Sequence, residues 1–245
     1  RVADMQGIAA LLARSEVLLA VDNTFTTPAM FRPLAGGGDI VINSITKFLA
    51  GHSDVTLGYV TARDADHRQA MRDAAVTWGL TSSPFDCWLA DRGLHSFDLR
   101  FAAAEQSAAA IADHLSGCIA GGGGIRRVLY PGRADHPDHD RARALFGGRY
   151  GNMVTFEIAG GENPGGRDEV NLFIEAAAGI PFAPTLGDIG STLSHPASSS
   201  HRGLSVDERA ALGIGEGMFR LSVGIEPVEM LIGELDAALA AVKGE

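Results

Sequence analysis

The chain has 245 residues, 46% of them hydrophobic, and a formal net charge of −10. That length allows one large domain or two smaller ones, and the acidic balance argues against nucleic acid as a partner. No apolar run is long enough to span a bilayer, and no signal-peptide pattern is seen. Cys87 and Cys118 lie far apart and make neither a metal motif nor a disulfide framework, so a reduced, cytoplasmic setting with no bound metal is expected.

Asp4 reads as the N-cap of an amphipathic helix over 4–14, with Ile8, Leu11 and Leu12 on its apolar face. The chain thus opens partway through an α/β repeat, and a preceding segment is expected in the working protein. Strands are predicted over 17–21, 40–43 and 55–62, then a helix over 66–76. This alternation predicts a mostly parallel sheet with helices on its faces. Pro84 opens a long helical stretch over 85–115 with a break near Gly93, and Gly121 to Gly124 reads as a linker. Beyond it come a strand over 153–158, a helix over 169–178, a strand over 219–225 and an amphipathic helix over 228–242. That looser order predicts a smaller α+β domain, giving a division into 1–100 and 101–245.

Two of the strands end on polar clusters. The run Val17-Leu18-Leu19-Ala20-Val21 leads into Asp22-Asn23-Thr24-Phe25, and Asp39-Ile40-Val41-Ile42 leads into Asn43-Ser44-Ile45-Thr46-Lys47-Phe48. In an open α/β sheet, ligands sit beyond the carboxyl ends of the strands. An Asp and a Lys delivered there by neighbouring strands suit pyridoxal phosphate (PLP): the Lys forms a Schiff base and the Asp pairs with the pyridinium nitrogen. Hydroxyls such as Ser44 and Thr46, and the backbone N–H groups of such a turn, can bind a phosphate. Taken singly, each cluster is equally an ordinary turn, since Asp, Asn and Ser are common turn residues. The pairing of Asp22 with Lys47, followed by Gly51-His52-Ser53-Asp54, is less ordinary.

These two segments resemble the signatures of the Cys/Met-metabolism PLP enzymes, the cystathionine γ-synthases, cystathionine γ- and β-lyases, methionine γ-lyases and O-acetylhomoserine sulfhydrylases. The likeness continues through Ser83-Pro84-Phe85-Asp86, Arg92-Gly93-Leu94, Tyr130-Pro131-Gly132 and His136-Pro137. It ends in His195-Pro196-Ala197-Ser198 and Arg220-Leu221-Ser222-Val223-Gly224-Ile225-Glu226, so it covers essentially the whole chain in order. It implies the fold type I of PLP-dependent transferases: part of a large α/β domain followed by a smaller α+β domain. It also implies roles. Lys47 carries the cofactor and moves protons, Asp22 keeps the pyridine nitrogen protonated, Ser44 and Thr46 bind the phosphate, and Arg220 binds the substrate α-carboxylate.

Thr185-Leu186-Gly187-Asp188 matches a segment that usually begins with Ser, whose hydroxyl helps to hold that carboxylate; Thr185 keeps the hydroxyl. The resemblance implies a Glu before it in many cystathionine-handling γ-enzymes, where this chain has Pro184, and Asp188 is commoner in methionine γ-lyase and sulfhydrylase relatives. Both features lean towards a less polar leaving group than cystathionine, although Pro184 equally shapes a loop. His52, His195 and His201 are read as structural, because Lys47 already serves as acid and base. The expected activity is β- or γ-elimination from sulfur amino acids; γ-replacement and a non-catalytic paralogue or fragment are the alternatives. The resemblance further implies a homo-oligomer, a tetramer built as a dimer of dimers, whose sites a neighbouring subunit completes.

Overall fold

The computed structural model describes residues 1–159 and 166–244. They form two compact units: Arg1–Phe101 with Pro137–Gly151, and Ala102–His136 with Asn152–Glu245.

The first unit opens with α1 (Met5–Leu12), whose cap Asp4 accepts from the Gly7 N–H at 3.0 Å. Its sheet runs β1 (Ala20–Asp22), β2 (Ile40–Ser44), β3 (Gly58–Ala62) in that spatial order, with the short α2 (Thr27–Met30) between β1 and β2. β1 and β2 are parallel, with Asp22 opposite Ile42. β3 is antiparallel to β2, with Ser44 opposite Gly58. The sheet of these residues thus holds one parallel pair and one antiparallel pair. No helical crossover separates β2 from β3, and a parallel pair needs one. The intervening chain turns back through a π-helical turn, Ile45–Leu49, and Thr46 is tied to Leu57.

Two helices follow, α3 (Ala65–Thr77) and α4 (Pro84–Leu94). Ser83 caps α4 by accepting from Phe85 N at 3.2 Å, and Pro84 stands at the first helical position, where its missing N–H costs nothing. The chain breaks at His95–Ser96, close to the expected break near Gly93, and resumes as α5 (Phe97–Ala120). The segment after Pro137, with α6 (His139–Phe146), packs into the first unit. Val2, Met5, Phe31, Ala142 and Phe146 make one core cluster there, and buried Asp138 accepts from Val2 N at 2.9 Å.

The second unit holds most of α5 and an antiparallel sheet in the order β4 (Ile125–Leu129), β5 (Met153–Ile158), β7 (Met218–Ser222), β6 (Thr192–Ser194). α7 (Arg167–Ala176) and α9 (Val228–Lys243) pack on one another, and α8 (Val206–Ala211) precedes β7. Phe156 of β5, Phe173 of α7 and Phe219 of β7 are fully buried and pack with ring centroids 4.7–5.7 Å apart, so strand and helix faces share one aromatic core. The glycine run is more than a linker: Gly124 leads straight into β4, and its carbonyl accepts from Ala159 N at 2.8 Å.

Candidate active site

The parallel pairing of β1 and β2 sends both chain ends out of the same sheet edge. Side chains alternate along a strand, so Asp22, Ile42 and Ser44 share one face while Val21, Val41 and Asn43 take the other. Val41 and Asn43 are buried; Asp22 and Ile42 are exposed. Asp22 follows the last apolar residue of its strand, and Lys47 lies just past the end of the neighbouring one. The expected pair is thus delivered to one edge by adjacent parallel strands.

Polar side chains lock the two strand ends together. Asn23 N donates to Ile42 O at 2.8 Å, Asn43 Nδ2 donates to Asn23 O at 3.1 Å, and Ser44 N donates to Thr24 Oγ1 at 2.9 Å. The Asp22 carboxylate accepts from Thr24 N at 2.9 Å, which fixes its direction. Asn23, Thr24 and Asn43 are all buried, where an unmade hydrogen bond is costly. None of the three stood out from the sequence, because Asn and Thr after a strand look like any turn.

Lys47 occupies a rare conformation. π-helical turns are uncommon and recur at functional sites. Lys47 leaves helical geometry within this one, at φ −82° and ψ −134°. Thr46 anchors the front of the turn: its hydroxyl donates to Leu57 O at 3.1 Å and accepts from Leu57 N at 2.9 Å. Arg100 braces the back, donating to Phe48 O at 3.0 Å, Leu49 O at 3.1 Å and Gly93 O at 2.9 Å. Two glycines make room for this brace. A Cβ on Gly93 would lie 2.5 Å from Ala50 O, and one on Gly51, at φ +75°, would lie 2.0 Å from Arg100 Nη1. The brace was missed because Arg100 lies 53 positions past Lys47 in a segment without a motif.

The second unit assembles the remaining candidates. Arg220 sits in the middle of β7, opposite Thr155 and Ser194, and burial lowers the pKa of its guanidinium. Ser222, two residues on, shares its face, and the Ser222 hydroxyl accepts from Gly187 N at 3.0 Å. The loop that carries Thr185 is thereby held on Arg220's side of the sheet. Thr192 Oγ1 donates to Thr185 O at 3.3 Å, while Glu226 accepts from both Ser191 N and Ser191 Oγ at 2.6 and 2.9 Å. Gly224 N donates to Ser191 Oγ at 2.9 Å, and a Cβ on Gly224 would lie 2.2 Å from Ile189 O. Pro184 is exposed, and Asp188 accepts from its neighbour Ile189 N at 2.6 Å.

The three histidines sit in hydrogen bonds, two of them to backbone carbonyls. His52 meets Ala50 O, and His201 meets Ser200 Oγ at 2.9 Å. His195 is fully buried, with Nε2 on Glu216 O at 2.6 Å and Nδ1 on Ser198 Oγ at 2.8 Å. Burial lowers its pKa, partly opposed by the Glu216 carbonyl and carboxylate.

The donor set at the first sheet edge suits PLP: a carboxylate for a cationic ring nitrogen, an amine for an aldehyde, and hydroxyls on one turn for a phosphate. Comparison with known proteins agrees. Residues 1–240 match the Cys/Met metabolism PLP-dependent enzyme family. An O-succinylhomoserine sulfhydrylase of Pseudomonas aeruginosa is 37% identical over 98% of this chain and 57% of its own length. A cystathionine γ-lyase of Bacillus subtilis is 35% identical over 98% of this chain and 60% of its own. Among solved structures, cystathionine γ-synthase from Xanthomonas oryzae pv. oryzae superposes with a TM-score of 0.90 at 38% identity, covering 100% of this chain and 60% of that one. Cystathionine γ-lyase from yeast gives 0.91 at 34%, covering 99% and 61%. The chain therefore spans about three fifths of the length of these relatives and has their fold, that of PLP-dependent transferases of type I, in part. It belongs to the Cys/Met metabolism PLP-dependent enzyme family.

Proposed function

We propose that the complete protein is a PLP-dependent carbon–sulfur lyase that acts on sulfur amino acids by β- or γ-elimination. The observation that carries this reading is the delivery of Asp22 and Lys47 to one sheet edge by adjacent parallel strands. Bound PLP supplies an electron-poor ring that takes up the electrons released when a bond at the substrate Cα breaks. The residues do the rest. Lys47 would hold the cofactor through Nζ, and its amine is the group placed to carry a proton from the substrate Cα. The Asp22 carboxylate would pair with the ring nitrogen and keep it protonated. Ser44 and Thr46 contribute to the phosphate cradle, with Thr46 acting mainly through the turn that it pins to Leu57. Arg220 orients the substrate by its α-carboxylate, and the Thr185 hydroxyl assists from the loop held on the same face of β7. We place residues 1–100 in the cofactor-binding domain and 101–245 in the smaller one, although Pro137–Gly151 packs with the first unit. We expect a cytoplasmic homotetramer, a dimer of dimers, with no nucleic-acid or membrane partner.

Borohydride reduction of the cofactor-loaded protein, followed by peptide mapping, tests the assignment. The pyridoxyl group should be found on the Lys47 peptide, and Lys47→Ala should lose it together with several orders of magnitude in rate. Label on another lysine, or near-normal turnover of Lys47→Ala, would sink it. γ-Replacement is the second reading, supported by the sulfhydrylase among the similar proteins. Pro184 and Asp188 support a less polar leaving group than cystathionine. Assays with methionine, homocysteine, cystathionine and O-acetylhomoserine, scored for α-keto acid against new thioether, separate elimination from replacement.

A further inference from the structure

His114, Cys118 and Asp236 meet within the second unit, whereas the Lys47 turn belongs to the first. His114 and Cys118 are four positions apart on α5, a spacing that puts both side chains on one helical face. Asp236 comes from α9. A ring nitrogen, a thiol sulfur and a carboxylate oxygen lie within 4.8 Å of one another, with His114 Nε2 2.7 Å from Asp236 Oδ1.

We propose that His114, Cys118 and Asp236 bind a borderline divalent transition-metal cation of the zinc type, with water in the remaining position. The ligand chemistry selects the class. Imidazole with thiolate and a single carboxylate suits zinc, whereas calcium and magnesium require oxygen shells. The geometry is near. Zinc bonds of about 2.0–2.3 Å place ligand atoms on the order of 3–4 Å apart, so the 4.8 Å limit asks only for small rotations of side chains that are partly or largely solvent-accessible. The three-residue gap between His114 and Cys118 falls within the intervals that separate paired ligands on one helix in zinc sites. On binding, the metal replaces whatever proton lies between His114 Nε2 and Asp236 Oδ1, and the Cys118 thiol releases its own proton to solvent.

Two features bear on the alternatives. Burial and the Asp236 carboxylate push the Cys118 thiol up, which argues against a reactive thiolate awaiting an electrophile. Lys243 lies close enough to pull the thiol the other way, and its positive charge weakens cation binding. A bound ion would tie α5 to α9.

Zinc protection of the cysteines tests this in the unmutated, cofactor-loaded protein. Cys87 is exposed and belongs to the other unit, so it serves as the internal control. With zinc present, alkylation of Cys118 should slow at least about tenfold while that of Cys87 is unchanged, read by peptide mass. Cobalt should add a sulfur-to-metal charge-transfer band at one equivalent. Cys118→Ser should abolish that band, and His114→Ala and Asp236→Asn should each weaken binding about tenfold or more. PLP can itself chelate metals, and the cysteine-specific readouts separate that binding from this site. Equal protection of both cysteines, or of neither, would overturn the proposal. So would a cobalt spectrum unchanged by Cys118→Ser.

Discussion

Arg100 Nη1 donates to the Phe48 carbonyl at 3.0 Å, one residue past Lys47, and the same guanidinium holds Leu49 O and Gly93 O. One planar fork thus ties the back of the Lys47 turn to the end of α4, a geometry that an ammonium cannot reproduce. Each hydrogen bond from a charged donor contributes about 1.5–3 kcal/mol. Arg100→Ala should therefore lose at least about 2 kcal/mol in urea unfolding, with Arg100→Lys recovering only part of it. The sharper readout is cofactor incorporation at Lys47 per folded molecule, which should fall in the same order. Normal incorporation in the folded fraction of both variants would reduce Arg100 to a stabilising residue.

Asp22 is exposed and its carboxylate is aimed by the 2.9 Å hydrogen bond from Thr24 N. If it keeps the ring nitrogen protonated, the charge matters more than the contact. Asp22→Asn preserves shape and should retain cofactor, yet lose about 100-fold or more in kcat, since a neutral amide stabilises far less positive charge than a carboxylate. Asp22→Glu should keep more activity than Asp22→Asn. Equal kcat in Asp22→Asn and the parent would remove Asp22 from the site.

How much of this was legible in the sequence differed by element. The apolar runs at 40–43 and 153–158 became strands over Ile40–Ser44 and Met153–Ile158, because alternation and β-branched residues suffice when a strand is buried on one face. The run at 17–21 was displaced, with pairing only over Ala20–Asp22, since pairing depends on Ile40 to Ile42 opposite, which a local pattern cannot reveal. β4, just past the Gly121–Gly124 run, carried no strand signal because its two arginines break the apolar pattern; they pair with the buried Glu157 of β5 at 3.1 and 3.0 Å. Lys47 and Asp22 were visible because cofactor chemistry demands particular side chains at strand ends. The Arg100 brace and the His114–Cys118–Asp236 cluster were not. Both are made by residues remote in sequence, brought together only by helix packing.

His195 gives the second unit a pH dependence. It is fully buried, and desolvation lowers its pKa below the ordinary value of about 6.5. The unfolded chain therefore binds a proton that the folded chain refuses. Stability from this group is fully present above about pH 6.5 and is lost as pH falls from there towards the folded value, by at most about 1.4 kcal/mol per pH unit. His195→Gln should flatten that slope between about pH 6.5 and 5 relative to the parent. A parent whose unfolding free energy is level across that window would contradict the assignment. The titration concerns stability alone, since the ring's partners are Glu216 O and Ser198 Oγ.

Ser222 links the two candidate substrate ligands of the second unit. Its hydroxyl accepts from Gly187 N at 3.0 Å, and it stands two residues from Arg220 on the same face of β7. Ser222→Ala leaves that buried N–H without its acceptor, at a cost of about 1–3 kcal/mol, and the loop bearing Thr185 should relax away from the strand. A loop that only orients the α-carboxylate acts on binding, so KM should rise about tenfold with kcat nearly unchanged. Arg220→Lys should raise KM more, because it loses the bidentate fork itself. Thr185→Ala should resemble Ser222→Ala, and the double variant should be little worse than either single one, since both remove the same contact. Fully additive effects would show that Ser222 supports the fold independently of Thr185. Cofactor loading at Lys47 should be unaffected in all of these variants; a loss there would mean that the loop serves the cofactor rather than the substrate.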